Sequence, residues 1–128
     1  HAVHPNHPQK TDAENCVYMN EGIVIKSHAG QKYTSDAVSI AIFRNICKQA
    51  GVPVQFFANR SDEAGGSTLG NISSAQVSLN AVDVGLPQLA MHSAYETAGI
   101  KDTEYMVQAM TTFFGSHISM EKGQIIWS

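Results

Sequence analysis

The chain has 128 residues, 43% of them hydrophobic, and a formal net charge of −3, which is the size of one ordinary globular domain with enough apolar content to bury a core. Eight basic residues against eleven acidic ones, with no Lys/Arg cluster, leave nothing to neutralise a phosphate backbone and argue against a nucleic-acid partner. The longest apolar run, Val52 to Ala58, is broken by Pro53 and Gln55 and falls far short of the roughly 20 residues that span a bilayer, so neither a membrane segment nor a signal peptide is expected.

Residues 1 to 21 carry Pro5 and Pro8 among scattered Asp, Glu and Asn without periodicity and read as a loop. Its opening on His1 rather than methionine reads as an interior start, from processing or as a piece of a longer chain. Gly22 leads into Ile23-Val24-Ile25-Lys26, a β-branched run of strand type. Ser35 or Asp36 caps a helix with Val38, Ala41, Ile42 and Ile46 on one face, stopped by Gly51 and Pro53. Val54 to Ala58 is a second strand, followed by a polar turn through Asn59-Arg60-Ser61-Asp62-Glu63. Gly65-Gly66-Ser67-Thr68 opens a modest helix through about Val77, and Ala81-Val82-Asp83-Val84 is a third strand. Asp102 or Thr103 caps a last helix whose Met106, Met110, Phe113 and Phe114 form an apolar stripe expected to be core. The order β-α-β-α-β-α predicts an α/β fold, a mostly parallel sheet covered by helices. Three strands make a thin sheet beside the usual four to six or so, so further strands outside this chain are expected to extend it.

Few side chains carry chemistry. Cys16 and Cys47 lie in no CxxC spacing and read as cytosolic thiols. His1, His4 and His7 are three apart, but Pro5 and Pro8 forbid a regular helix, which leaves a polar loop rather than a chelating tract. Gly65 to Gly70 offers either free N–H groups for an anion at a helix start or a plain tight turn with Ser67 or Thr68 as cap. It lacks the lysine of a phosphate loop. Lys26 and Tyr33 read either as solvated surface or as a cation and a phenol that anchor a substrate. His92 follows the third strand through Leu86-Pro87-Gln88-Leu89-Ala90-Met91. It is open to two readings, a core histidine satisfied by a carbonyl or a metal ligand oriented by Ser93 and Glu96.

Four stretches in order, His1-Ala2-Val3-His4-Pro5-Asn6, Lys26 with Tyr33, Asn59-Arg60-Ser61-Asp62 with Gly66-Ser67-Thr68-Leu69-Gly70, and Leu86-Pro87-Gln88-Leu89-Ala90-Met91-His92-Ser93 with Glu96-Thr97, resemble the carboxyl-terminal third of aspartyl aminopeptidases and the related aminopeptidase I. The resemblance covers nearly the whole chain. It implies the carboxyl-terminal half of the catalytic domain of a cytoplasmic zinc exopeptidase that binds two zinc ions, removes amino-terminal residues from peptides and assembles into large homo-oligomers. It implies further that His92 is a zinc ligand and that His1, Lys26 and Tyr33 contact substrate, Lys26 suiting an acidic side chain. The other metal ligands, the glutamate that serves as general base and an inserted dimerisation domain would lie upstream, in a partner half absent from this chain. The isolated chain is therefore expected to be inactive, since one histidine does not hold zinc. A non-catalytic carboxylate-binding or assembly module of the same fold is the alternative. A third reading is a fragment whose open sheet edge pairs with its own copy.

Overall fold

The computed structural model describes residues 1–28, 30, 32–59, 62 and 65–127. Its centre is a three-stranded sheet ordered β2-β1-β3, formed by β1 (Ile23–Ser27), β2 (Val54–Ala58) and β3 (Val84–Gly85). β1 and β2 run parallel with Ile23 opposite Val54 and Ser27 opposite Ala58. β3 runs antiparallel to β1, Val24 facing Gly85 and Ile25 facing Val84. The sheet is thus mixed, with one parallel and one antiparallel pair. Just before β3, the Asp83 carbonyl still accepts the Lys26 N–H of β1 at 2.9 Å, while its own N–H donates to Ser35 Oγ at 2.8 Å.

Between β1 and β2 runs α1 (Ala37–Gln49). Asp36 starts it with a capping box: its carboxylate accepts from the Ser39 N–H at 2.8 Å and its own N–H donates to Ser39 Oγ at 3.0 Å. It stops in a Schellman turn at Gly51, φ +69°, where the Val52 N–H reaches the Cys47 carbonyl at 2.8 Å. Its core face is Ser39, Phe43, Ile46 and Cys47, whereas Val38 and Ala41 of the expected stripe are exposed. The second helix, α2 (Leu69–Gln76), begins four residues later than the glycines suggested and buries no residue fully.

The last helix, α3 (Ile100–Gly115), is capped by Gly99 and not by Asp102 or Thr103. Asp102 is instead fully buried, its carboxylate accepting the N–H groups of Asn20 at 2.6 Å and Gly22 at 3.0 Å. In return the Lys101 N–H donates to Asn20 Oδ1 at 3.1 Å. Tyr105, Met106, Ala109 and Met110 turn toward the core, but Phe113 and Phe114 do not, Phe114 being 80% exposed. The expected stripe is core only in its first half.

α1 and α3 pack on one face of the sheet, where Ile23 and Ile25 meet Phe43, Ile46, Cys47, Val52 and Ala109. Because strand side chains alternate, Val24 and Lys26 project from the other face. That face carries the candidate site. Two small ladders complete the chain: β4 (Gln88–Leu89) with β5 (Thr97–Ala98), and a terminal hairpin of β6 (Ile118–Glu121) and β7 (Gln124–Trp127). The hairpin turns at Lys122 and Gly123, both with positive φ, and Trp127 packs back against the core. The amino-terminal loop contains a single 3-10 turn at Pro8–Lys10. It is fastened by Ala2 N–H to the Gln88 carbonyl and Val3 N–H to the Val17 carbonyl, each at 2.8 Å.

Candidate functional site

Lys26 leaves the sheet next to the end of β1, and a glycine lies beneath it. A Cβ on Gly85 would stand 3.2 Å from Lys26 Cε and 3.6 Å from Nζ, so the bare backbone makes room for the lysine stem. The ammonium lies over the Tyr33 ring, 5.7 Å from its centroid, within the roughly 6 Å range of a cation–π contact. The His28 ring meets Tyr33 edge-on, centroids 6.0 Å apart. Its Nδ1 accepts the Gly30 N–H at 2.9 Å.

Tyr33 is partly buried, and this burial, with the Asp83 charge second, raises the pKa of the phenol above its ordinary value. A side-chain hydrogen bond from Asn59 acts in the opposite direction. The phenol is therefore a donor throughout the neutral range. Asn59 occupies the space that a side chain on Gly65 would need, which gives that glycine a role other than anion binding.

Asp83 ties this corner together. Its Oδ2 accepts from the Thr34 N–H at 2.9 Å, Thr34 Oγ1 at 3.2 Å and Thr68 Oγ1 at 2.9 Å. Thr68 thus spends its hydroxyl on Asp83 and makes no side-chain cap on α2. Sequence reading passed over Asp83, Asn59 and His28 as site residues. The trace that pointed to Asp83 was a carboxylate interrupting an apolar strand run.

His1 is exposed and lies near enough to the Lys26 ammonium to feel its charge, and the neighbouring Ala2 N–H ties this stretch to β4. His92 is exposed in the loop between β4 and β5. That loop turns through Ala90 and His92, both left-handed at φ +52° and +68°, and closes with the Ser93 N–H on the Ala90 carbonyl at 3.0 Å. The His92 N–H donates to a Glu96 carboxylate oxygen. Two residues paying left-handed strain outside glycine mark the turn as held by its surroundings. Among the described residues, no hydrogen bond, ion pair or ring contact joins His92 to His1, Lys26 or Tyr33. The His4 and His7 rings lie side by side in the loop, centroids 5.1 Å apart and tilted by 36°.

Zinc centres take three or four side-chain ligands. Among the described residues no group of three or more His, Cys, Asp and Glu is placed to share a metal ion. The described donor set does not by itself fit zinc. Among the described residues no helix is long and apolar enough to cross a membrane.

The family model described as aminopeptidase I zinc metalloprotease (M18) matches residues 1–114. The chain is 48% identical over 114 residues to a probable M18 family aminopeptidase 2 of Clostridium acetobutylicum, covering 89% of this chain and 26% of that protein. It superposes with a TM-score of 0.87 and 38% identity on a chain of the cryo-EM structure of the Ape4 and Nbr1 complex, over 89% of this chain and 22% of that one. The mApe1 dodecamer of S. cerevisiae gives a TM-score of 0.78 at 26% identity, over 90% of this chain and 25% of its own. The chain spans about a quarter of the length of the relatives it matches.

Proposed function

Because the chain belongs to the aminopeptidase I zinc metalloproteases, the M18 family, we infer that it forms part of an enzyme hydrolysing the amino-terminal residue from peptides. It is the carboxyl-terminal part of the catalytic domain, and the substrate side of the site is what it contributes. Lys26 and Tyr33 hold the first residue of the peptide, with His1 beside them, and His92 serves as one ligand of a zinc centre. The remaining ligands come from an upstream half, and the two zinc ions of the resemblance belong to that completed site.

The observation that carries this reading is the Lys26–Tyr33 pair, 5.7 Å from ammonium to ring centroid, with a phenol that stays protonated. An ammonium and a phenol hydroxyl are two donors suited to a carboxylate, so the reading names an acidic first residue as the favoured substrate. The dodecameric relative supports a homo-oligomer, and two cysteines without a disulfide accord with the cytoplasm. The carboxylate-binding module is less well supported, since Thr68 of its supposed anion loop already donates its hydroxyl to Asp83.

The test uses the intact enzyme that carries this segment. Lys26→Ala is expected to raise KM for peptides with an acidic first residue about tenfold, the loss of one charge-assisted contact, and His92→Ala to lower bound zinc and kcat together. A His92→Ala enzyme with full zinc and full activity refutes the ligand role. The isolated 128-residue chain is expected to release no amino acid and to hold no stoichiometric zinc.

A further inference from the structure

We propose that Asp83 is the positioning residue of the substrate-anchoring pair, fixing Lys26 and Tyr33 relative to one another and so setting how tightly the substrate's first side chain is held. The inference rests on the reading of Lys26 and Tyr33 as substrate contacts.

Lys26 and Tyr33 are seven positions apart in sequence, on different pieces of chain, and touch each other through the ammonium and the ring. Lys26 belongs to β1, whereas Tyr33 lies in the connection to α1, outside any strand or helix. Residue 83 holds both pieces. Its carbonyl accepts the Lys26 N–H at 2.9 Å, which fixes the main chain from which the lysine springs. Its N–H donates to Ser35 Oγ at 2.8 Å. Its Oδ2 accepts both the N–H and the hydroxyl of Thr34, the residue after Tyr33, at 2.9 and 3.2 Å. One residue thereby defines the origin of the ammonium and the origin of the phenol.

A carboxylate is the side chain this junction needs. It accepts without donating, three donors converge on one oxygen, and hydrogen bonds to an ionised acceptor are roughly twice as strong as neutral ones. The third donor, Thr68 Oγ1 at 2.9 Å, comes from the segment just before α2 and closes the corner from the far side. Gly70 shows how tightly it is closed: a Cβ there would stand 2.8 Å from Thr34 Oγ1 and 3.1 Å from Asp83 Oδ2. With the carboxylate removed, Thr34 loses both of its bonds to residue 83 and only the main-chain N–H of that residue still reaches Ser35 Oγ, so the ring under the ammonium is held less firmly.

The experiment measures kcat and KM of the intact enzyme on matched peptides with an acidic or a neutral first residue, for wild type, Lys26→Ala, Asp83→Ala, Asp83→Asn and Thr68→Val. Asp83→Ala is expected to lower the acidic-over-neutral ratio of kcat/KM about tenfold, through KM of the acidic peptide. Asp83→Asn, which keeps an acceptor oxygen in the same shape, is expected to restore most of the ratio. Thr68→Val removes one donor without changing shape and is expected to lower the ratio about threefold. It carries the test if Asp83→Ala does not fold. If Lys26→Ala abolishes the discrimination while Asp83→Ala and Thr68→Val keep the wild-type ratio, or lose activity on both peptides in equal proportion, the positioning role is overturned and the site reading stands. If Lys26→Ala leaves the discrimination intact, the site reading itself falls and the inference with it.

Discussion

Replacing Asp102 by alanine removes a fully buried carboxylate on which two distant main-chain donors converge. The side chain is fully buried and its carboxylate accepts two main-chain N–H groups, Asn20 at 2.6 Å and Gly22 at 3.0 Å. In the first turn of α3 it also faces the positive end of the helix dipole. Each hydrogen bond to a charged group contributes about 1.5–3 kcal/mol, and truncation leaves both donors without an acceptor, so Asp102→Ala should cost about 3–6 kcal/mol. That is a large share of the 5–15 kcal/mol or so that holds a typical domain. Asp102→Asn keeps one acceptor oxygen but turns an NH2 toward the second donor, and should cost roughly half as much. Gly99→Ala strikes the same knot, since its Cβ would run into Asn20 Oδ1 and Asp102 Oδ2. Combined with Asp102→Ala it should therefore be clearly less than additive. Urea unfolding followed by Trp127, the single tryptophan, reads the parent and the four variants. With a slope near 2 kcal/mol per molar, the Asp102→Ala midpoint should fall by about 1.5–3 M. A shift below about 0.5 M, or full additivity with Gly99→Ala, refutes the reasoning.

Burial pushes the Cys47 thiol up to about 11 from an ordinary 9.0, so the stability it contributes is whole below pH 9 and is lost as pH rises from 9 to about 11. Iodoacetamide should accordingly modify the half-buried Cys16 well before Cys47 at pH 8, read by mass spectrometry of the labelled peptides. The Ser39 N–H, above all, lowers the Asp36 carboxyl below its ordinary 3.8. Its contribution is present above that value and is lost as pH falls through the depressed folded one, and Asp36→Ala should cost about 1 kcal/mol at pH 7 in urea unfolding and less at pH 3. Gly85→Ala, which crowds the Lys26 stem, should raise KM of the intact enzyme for acidic peptides about threefold, about 0.7 kcal/mol. Phe114→Ser, at a residue 80% exposed, should leave the unfolding free energy of the isolated chain, read by urea titration, within about 0.5 kcal/mol of the original.

Local chemistry was legible in the sequence where a single residue decides the outcome. Asp36 and Gly51 bracket α1 as their types predict, and the β-branched run at Ile23 and the aromatic pair at Phe56–Phe57 form the parallel strands. What could not be read was where long-range partners divert a group. Asp102 has the composition of a cap, but donors 80 and 82 residues away claim its carboxylate and shift the start of α3 to Gly99. Strand direction is equally absent from residue type, so β3 came out antiparallel. The terminal hairpin was overlooked although Lys122-Gly123 between Ile118 and Trp127 carries the turn chemistry of a two-residue loop with positive φ. Of the site, residue types named Lys26 and Tyr33 as candidates and left surface and substrate readings open. Their pairing at 5.7 Å, and the junction at Asp83 that holds them, emerged only in three dimensions.

The clasp between Asp102 and the Asn20–Gly22 turn sets an order of events on the ribosome. Asn20 is synthesised 82 residues before the carboxylate that secures it. At about 5–20 residues per second that is a wait of roughly 4–16 s, to which the time for residue 102 to clear the exit tunnel must be added. Until then the first strand enters the cell with its leading turn unfastened, and the nascent chain has a defined interval in which a chaperone can take hold of it.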